Sequence, residues 1–375
     1  MLDCAVDRKA QMTASIAVSR AKQEAGNSHR LASFPPGYFA LVMATGIVSL
    51  ATHYQGSELV ARVLFWLNLA AYFVLWGLTL IRFIRYRTRL IDDLTHHPHG
   101  AAFLTVVAGT CLLGCQFAIL TPWIAAAEAL WVVGVGLWTL LIYTFLTVVT
   151  VRNPKPPLEA GINGGWLLVV VATEAISVLG TLIAPFLSQT DLMLFVSLAA
   201  ALVGTAFYVF FITLILYRWM FFRMQSAQLT PDYWINMGAL AIATLSGTLL
   251  RSAADRWNLL QELTPFLMGG TLLCWATATW WIPLLVIVTG WRHWRGRVPL
   301  AYHPGFWSLV FPLGMYSVAT AKLAEVTGLL SLDPIAAAFA WLATIAWGIT
   351  FFGLIRSLTR KFWQVSITGN GADNE

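Results

Sequence analysis

Ten stretches of this chain are each about as long as a bilayer crossing and contain almost no Asp, Glu, Lys or Arg. A hydrocarbon core about 30 Å thick needs roughly 20 consecutive apolar residues of helix. Because 58% of the 375 residues are hydrophobic and 11% are charged, a soluble fold would expose large apolar patches. The sequence therefore predicts an all-α integral membrane protein with ten transmembrane helices. Their expected bounds, in chain order, are 35–52, 63–84, 101–120, 123–150, 165–187, 192–217, 233–250, 263–289, 305–325 and 334–355.

Basic residues are distributed unevenly between the connections that join these spans. Most of the 23 Lys and Arg residues lie in the N-terminal tail, in connections that follow even-numbered spans and near the C-terminus. The opposite side has Arg62, Arg251, Arg256 and Lys322. Short cytoplasmic loops are enriched in Lys and Arg, so we expect a bacterial inner-membrane protein with both termini in the cytoplasm. The net charge of +6 follows from this topology and does not indicate nucleic-acid binding.

The chain is expected to divide into one membrane domain and two cytoplasmic tails. The N-terminal tail is 1–32, the ten-helix domain is 33–360 and the C-terminal tail is 361–375. The first tail is polar and of mixed charge, without the apolar core of a secretory signal.

An internal repeat relates the odd-numbered spans to one another. Residues 36–46 (PGYFALVMATG) and 304–314 (PGFWSLVFPLG) align without a gap, and weaker versions open the third, fifth and seventh spans. A proline at the start of a helix costs little, because its missing N–H would be unpaired there anyway. The interval of two helices predicts five helical hairpins, with the odd helices as an inner pore ring and the even helices as an outer ring.

Hydroxyl side chains recur at helical spacing in the odd-numbered spans. Hydroxyls can donate to a dehydrated anion without holding it tightly, which makes these residues candidates for lining a pore. In the alternative, they bond backbone carbonyls and allow helices to pack closely. The candidates are Thr45, Ser49, Thr173, Ser177, Thr244, Thr248, Ser317 and Thr320.

Residues 36–48 and 307–320 resemble signatures of the tellurite-resistance/dicarboxylate transporter family. That family includes the plant slow-type guard-cell anion channels and fungal malate and sulfite exporters. The resemblance covers roughly residues 33–360. It implies a homotrimer in which each subunit encloses a pore lined by its five odd helices. It also implies that a phenylalanine on the ninth helix blocks the pore, and this position falls on Phe311, followed by Pro312.

The resemblance implies transport of small anions across the lipid bilayer. The expected cargo is of the C4-dicarboxylate, tellurite, sulfite or halide class. Since the odd helices carry almost no fixed positive charge, binding is expected to be weak and transport channel-like.

Two ionisable residues in these spans are candidates for a role in transport. Glu174 is the acidic residue deep in the fifth span, where it could bind a proton or pair with Lys322 of the ninth span. Lys322 could attract anions to the pore entrance, or it could form a surface pair with Glu325 three residues later.

We expect neither a metal site nor a cofactor. Cys111 and Cys115 lie four residues apart without a nearby histidine or carboxylate, so they are interpreted as packing residues. The tract 96–99 contains three histidines too close together for all to meet one ion easily. The remaining histidines lie at or outside span ends, at His29, His53, His293 and His303.

Two other classes of function stay open at this point. A membrane-embedded oxidoreductase would need histidines inside the spans, facing one another to hold a cofactor. A structural membrane scaffold is disfavoured by the unusual proline within the ninth span. We therefore expect a transporter rather than an enzyme.

Overall fold

The computed structural model describes residues 35–370, so the first tail, including His29, and residues 371–375 lie outside the described residues. Within 35–370, ten helices are long and apolar enough to cross a membrane, and no β-strand is present. They confirm the ten predicted transmembrane helices. We name them α1 to α10, with bounds Gly37–Tyr54, Glu58–Arg85, Gly100–Leu120, Ile124–Val151, Gly164–Phe186, Thr190–Phe221, Pro231–Ser252, Thr264–Trp294, Pro304–Thr327 and Leu330–Arg360.

The odd-numbered and even-numbered helices differ sharply in burial. Between 72% and 94% of the apolar stretch of each odd helix is buried, against 17% to 33% for the even helices. Each odd helix packs against the next odd helix along the chain, and α9 packs against α1. Each even helix packs against the odd helix that precedes it. The even helices therefore present large apolar side chains outward, as a helix in contact with lipid does.

A 3₁₀ turn opens every odd-numbered helix. Three of these turns, in α1, α7 and α9, carry a proline in their first two positions. This is where proline is best tolerated, because the first N–H groups of a helix have no partner within it. The five turns are Pro36–Phe39, Gly100–Leu104, Gly164–Leu167, Pro231–Trp234 and Pro304–Phe306.

Arginines near the ends of three even helices fasten the loops that lead into the odd helices. Each guanidinium donates to a backbone carbonyl in the loop before the odd helix of its own hairpin. The bonds run from Arg152 to Thr95, from Arg218 to Ile162 and from Arg292 to Leu229. Three of the basic residues that predict the orientation thus also hold these loops against the ends of even helices, because loop carbonyls need hydrogen-bond donors.

Candidate functional site

A small cavity of about 10 Å³, roughly the space that one water molecule needs, lies between the odd-numbered helices, toward their C-terminal ends. All five odd helices contribute to its wall and no even helix does. The cavity therefore lies on the axis that the odd helices share. Its wall is apolar except at one tyrosine and one cysteine, and consists of Leu50, Tyr54, Leu112, Cys115, Ile119, Val178, Leu182, Leu245, Leu249 and Val318.

The positions of the wall residues follow the internal repeat of the odd-numbered spans. One layer has a residue from every odd helix at nearly the same distance, 13 to 15 residues, from its start: Leu50, Cys115, Val178, Leu245 and Val318. A second layer lies four residues, or about one helical turn, further on in four of the helices. The equivalent position in α9 is Lys322. Sequence reasoning did not identify these residues, although extending the alignment of 36–46 with 304–314 pairs Leu50 with Val318.

Phe311 lies on the cavity side of α9. It precedes the wall residue Val318 by seven residues, which is close to two full turns and about 10 Å along a helix. Helical geometry therefore directs both side chains to nearly the same side. Phe311 has 0% exposure. A gate at Phe311 and Pro312 stays a prediction, but Phe311 has the orientation that a gate requires.

Indole donors of the outer helices bind three of the predicted pore-lining threonines. In each case an even helix reaches the odd helix that follows it, and α10 reaches α1. The bonds run from Trp138 to Thr173 (2.9 Å), from Trp275 to Thr320 (3.0 Å) and from Trp347 to Thr45 (2.9 Å). These hydroxyls therefore join inner helices to outer helices.

Two of the three predicted serines, Ser49 and Ser317, also point at outer helices. Ser49 donates to the carbonyl of Ala61 in α2, and Ser317 donates to the carbonyl of Ala336 in α10, both at 2.7 Å. Each bond ties an odd helix to the even helix of its own hairpin.

The remaining three candidates bond within or between odd helices. Ser177 accepts from Ser246 of α7 at 2.7 Å, while Thr244 and Thr248 donate to carbonyls of their own helix. None of the eight predicted hydroxyl residues belongs to the cavity wall. Their hydrogen bonds correspond to the packing alternative, and a role in lining a pore stays a prediction.

A lysine and a tyrosine meet at the end of the cavity nearest the C-termini of the odd helices. The ammonium of Lys322 lies 4.6 Å from the ring centroid of Tyr54, whose side chain is part of the wall. The same ammonium is 2.7 Å from Oε2 of Glu325. The pair with Glu325 is the surface pair considered from the sequence, and it holds a partly exposed cation at the cavity.

Glu174 does not pair with Lys322, so that alternative is wrong. Its carboxyl is fully buried and turns toward α6, where Thr205 Oγ1 donates to Oε1 at 3.2 Å. The cation expected as its partner is instead held by Glu325 at the end of α9.

The two cysteines of α3 face different surroundings. Cys115 belongs to the cavity wall, whereas Cys111 faces α4, where a Cβ on Gly134 would lie 2.8 Å from its sulfur. The thiols therefore cannot be treated as one site.

The histidine tract packs at the entrance to α3. The rings of His96 and His99 stack with centroids 5.0 Å apart, and His97 packs against Trp166 at 5.3 Å. Burial lowers the pKa of His97, and Lys155 lowers it further. Burial also lowers the pKa of His99, with His96 adding to the effect. Among the described residues, no group of three His, Cys, Asp or Glu could hold a metal ion.

Comparison with known proteins identifies similar chains. The model of the voltage-dependent anion channel family matches residues 33–355. An uncharacterized transporter of Methanocaldococcus jannaschii is 22% identical over 340 residues, which cover 88% of this chain and 95% of that protein. A sulfite efflux pump of Trichophyton rubrum is 22% identical over 376 residues, which cover 91% of this chain and 97% of the pump. An uncharacterized membrane protein of Mycobacterium tuberculosis is 36% identical over 146 residues, which cover 39% of this chain and 74% of that protein.

Proposed function

This chain belongs to the voltage-dependent anion channel family, and we propose that it passes small anions along the axis between its five odd-numbered helices. The family consists of channels and transporters rather than enzymes. The observation that carries the proposal is the cavity on this axis, because all five odd helices form its wall. Lipid-facing even helices would isolate such a path from the bilayer.

Phe311 is the proposed gate. It lies about two turns from Val318 on the cavity side of the same helix and is fully buried. A bulky apolar ring at this point blocks ions sterically and excludes water from a narrow path. Pro312 supports the assignment, because a proline inside a helix removes a backbone hydrogen bond and bends the helix beside the ring.

The proposed cargo is a small anion that needs no tight binding site. The cavity wall contains no basic side chain. Among the described residues, Lys322 brings a cation to the wall, because its ammonium lies against the ring of Tyr54. Sulfite is the cargo named for the fungal relatives, which cover nearly the whole chain. Chloride and nitrate are of similar size. Tellurite and C4-dicarboxylates are included because of the sequence resemblance.

The proposed setting is a bacterial inner membrane, with both termini in the cytoplasm and three copies in the assembly. The Lys and Arg bias of the connections supports the orientation, and the family resemblance supports the homotrimer. Crosslinking in membranes, followed by mass determination of the purified complex, tests the copy number.

Flux into proteoliposomes tests the function directly. Chloride, nitrate, sulfite, malate and tellurite are compared with and without a proton gradient, with protein-free liposomes as the control. We expect flux of at least one of the small inorganic anions to exceed that of the control without a gradient. Absence of flux for all five anions would overturn the proposal. A visible absorption spectrum showing a bound chromophore would instead support the oxidoreductase alternative.

A further inference from the structure

Buried polar atoms without partners occur on each of the three helices α5, α6 and α7. These three helices pack against one another, and we call their junction the α5–α6–α7 seam. Glu174 Oε2, Ser197 Oγ and both side-chain polar atoms of Asn236 have no hydrogen-bond partner, and all three residues have 0% exposure. Such atoms are costly in a membrane interior unless water or a ligand reaches them. The seam is separate from the cavity wall, to which none of these residues belongs.

The glycine at position 204 of α6 leaves the space that the Glu174 carboxyl group occupies. A Cβ on Gly204 of α6 would lie 2.6 Å from Glu174 Oε1, so any larger residue there would displace the carboxyl. The neighbouring Thr205 donates to the same oxygen at 3.2 Å. From α7, Ser246 lies beside the carboxyl, but its hydroxyl proton is donated to Ser177. Oε2 is left without a donor, an arrangement suited to the protonated acid.

The charges around Glu174 also favour a neutral carboxyl. The titratable group that faces it from α8 is the thiol of Cys274. Thr205 of α6 and Ser246 of α7 are uncharged. From α4, Trp138 donates to Thr173 beside it and brings no charge. Among the described residues, no ion pair includes Glu174. An ionised carboxylate here would be a membrane-buried charge without a counter-ion.

We propose that Glu174 is a proton-binding site, filled and emptied through the α5–α6–α7 seam rather than through the anion axis, and that its occupancy sets the rate of anion flux. This inference rests on the proposed anion conduction. Glu174 lies one helical turn before Val178 of the cavity wall, so its charge acts on the axis from close by. A carboxylate repels an anion there, whereas the protonated acid does not. Flux therefore rises as the proton binds, and falls as it leaves.

Ser197 and Asn236 indicate the course of the proton. Ser197 lies toward the start of α6, where a Cβ on Gly180 of α5 would be 2.4 Å from its hydroxyl oxygen. Asn236 lies toward the start of α7, and its backbone carbonyl accepts from Tyr208 of α6. Because α6 runs antiparallel to α7, the two residues fall on opposite membrane halves, with Glu174 between them. Water molecules at these atoms would give the proton intermediate positions on either side of the carboxyl.

A chemical test of the site does not depend on transport. Dicyclohexylcarbodiimide reacts with protonated carboxyl groups in apolar surroundings, and the adduct is located by peptide mass analysis. We expect labelling of Glu174 that decreases severalfold between about pH 5 and about pH 8. The matched control is Glu128→Gln in α4, which removes a partly exposed carboxyl and is expected to leave the labelling of Glu174 unchanged. Failure of the reagent to label Glu174 at either pH would overturn the proposal.

A flux test then examines the coupling. Chloride is the probe, because its charge is constant over this pH range. Wild-type flux is expected to rise severalfold as pH falls, and Glu174→Gln is expected to keep the high flux at every pH. Glu128→Gln should retain the wild-type profile. The coupling is overturned if folded Glu174→Gln retains the wild-type pH ratio. Absence of chloride flux in the wild type, with Glu174 still labelled, would count against anion conduction instead and leave the proton site standing.

Discussion

Pro312 of α9 packs directly against Gly238 of α7: a Cβ atom added to Gly238 would lie 2.7 Å from Pro312 Cγ. A proline ring cannot rotate out of such a contact. Gly238→Ala is therefore expected to push α9 away beside Phe311 and to destabilise the protein by about 1–3 kcal/mol, the usual cost of overpacking. The thermal unfolding midpoint of the purified protein measures the effect.

The matched control for this substitution is Gly269→Ala in α8, where no atom lies within 4 Å of the added Cβ. Its unfolding midpoint should be no lower than that of the wild type, because alanine is the better helix former and its Cβ meets no neighbour. Equal midpoints for both variants would mean that the contact with Pro312 can relax at no cost.

Phe311→Ala is expected to raise anion conductance severalfold or more, because it removes the ring proposed to block the axis. The control is Phe211→Ala in α6, a phenylalanine of similar burial that packs against Trp166 away from the cavity wall. Both truncations lose packing of about 3–5 kcal/mol, so a difference in conductance reports position rather than stability. A well-folded Phe311→Ala variant that conducts like the wild type would remove Phe311 from the gate.

Cys115 provides a native probe of the cavity. We expect methyl methanethiosulfonate, a small neutral thiol reagent, to modify Cys115 and to reduce anion flux, since this sulfur lies in the cavity wall. Cys115→Ala should protect the flux, whereas Cys111→Ala should not, because Cys111 faces α4. Peptide masses identify the modified residue. Faster modification of Cys111 than of Cys115 would contradict the assigned wall.

Lys322→Ala is expected to lower flux more at low salt than at high salt. Attraction of anions by an exposed cation is screened within a Debye length of about 10 Å at 0.1 M salt. Arg62→Ala removes a cation on the same predicted side, from the outer helix α2, and should change flux little. An equal loss for Lys322→Ala at every ionic strength would indicate that the pair with Glu325 acts structurally.

Acid is expected to destabilise the entrance to α3 through His97 and His99. The fold lowers the pKa of both rings, chiefly by burial, so the unfolded chain binds more protons. Their stabilising contribution is therefore present above the unfolded-state value of about 6.5 and is lost as pH falls from there through the lowered folded values. The unfolding midpoint of a His97→Gln, His99→Gln double variant should fall less than that of the wild type on acidification. Parallel curves for the two proteins would exclude this contribution.

The ten helices could be predicted from the sequence because the bilayer imposes a strong local constraint. A window without charges is visible in the chain itself, and no tertiary information is needed to recognise it. The start of α9 at Pro304 and its end at Thr327 lie within a few residues of the expected 305–325. Several even helices extend a few residues beyond the apolar windows, as α2 does at Glu58 and α8 does at Trp294.

The directions of the hydroxyl side chains could not be predicted in the same way. Helical spacing shows that Thr45 and Ser49 share a region of α1, but it does not show which neighbour they meet. The donor to Thr45 is Trp347, 302 residues later in the chain. Hydrogen-bond partners this far apart in the chain can be identified only from the three-dimensional structure. The internal repeat was the better guide, because equivalent positions such as Leu50 and Val318 do face the same cavity.

The hydrogen bond between Trp347 and Thr45 also bears on how the protein is made. The ribosome synthesises the N-terminus first, so α1 enters the membrane with the first hairpin, and three further hairpins and α9 are made before α10 appears. Until then the side of α1 that packs against α10 is uncovered, and the ring of inner helices is incomplete. A partly synthesised subunit therefore lacks a closed ring of inner helices, and the proposed path between them is complete only when the last hairpin is in place.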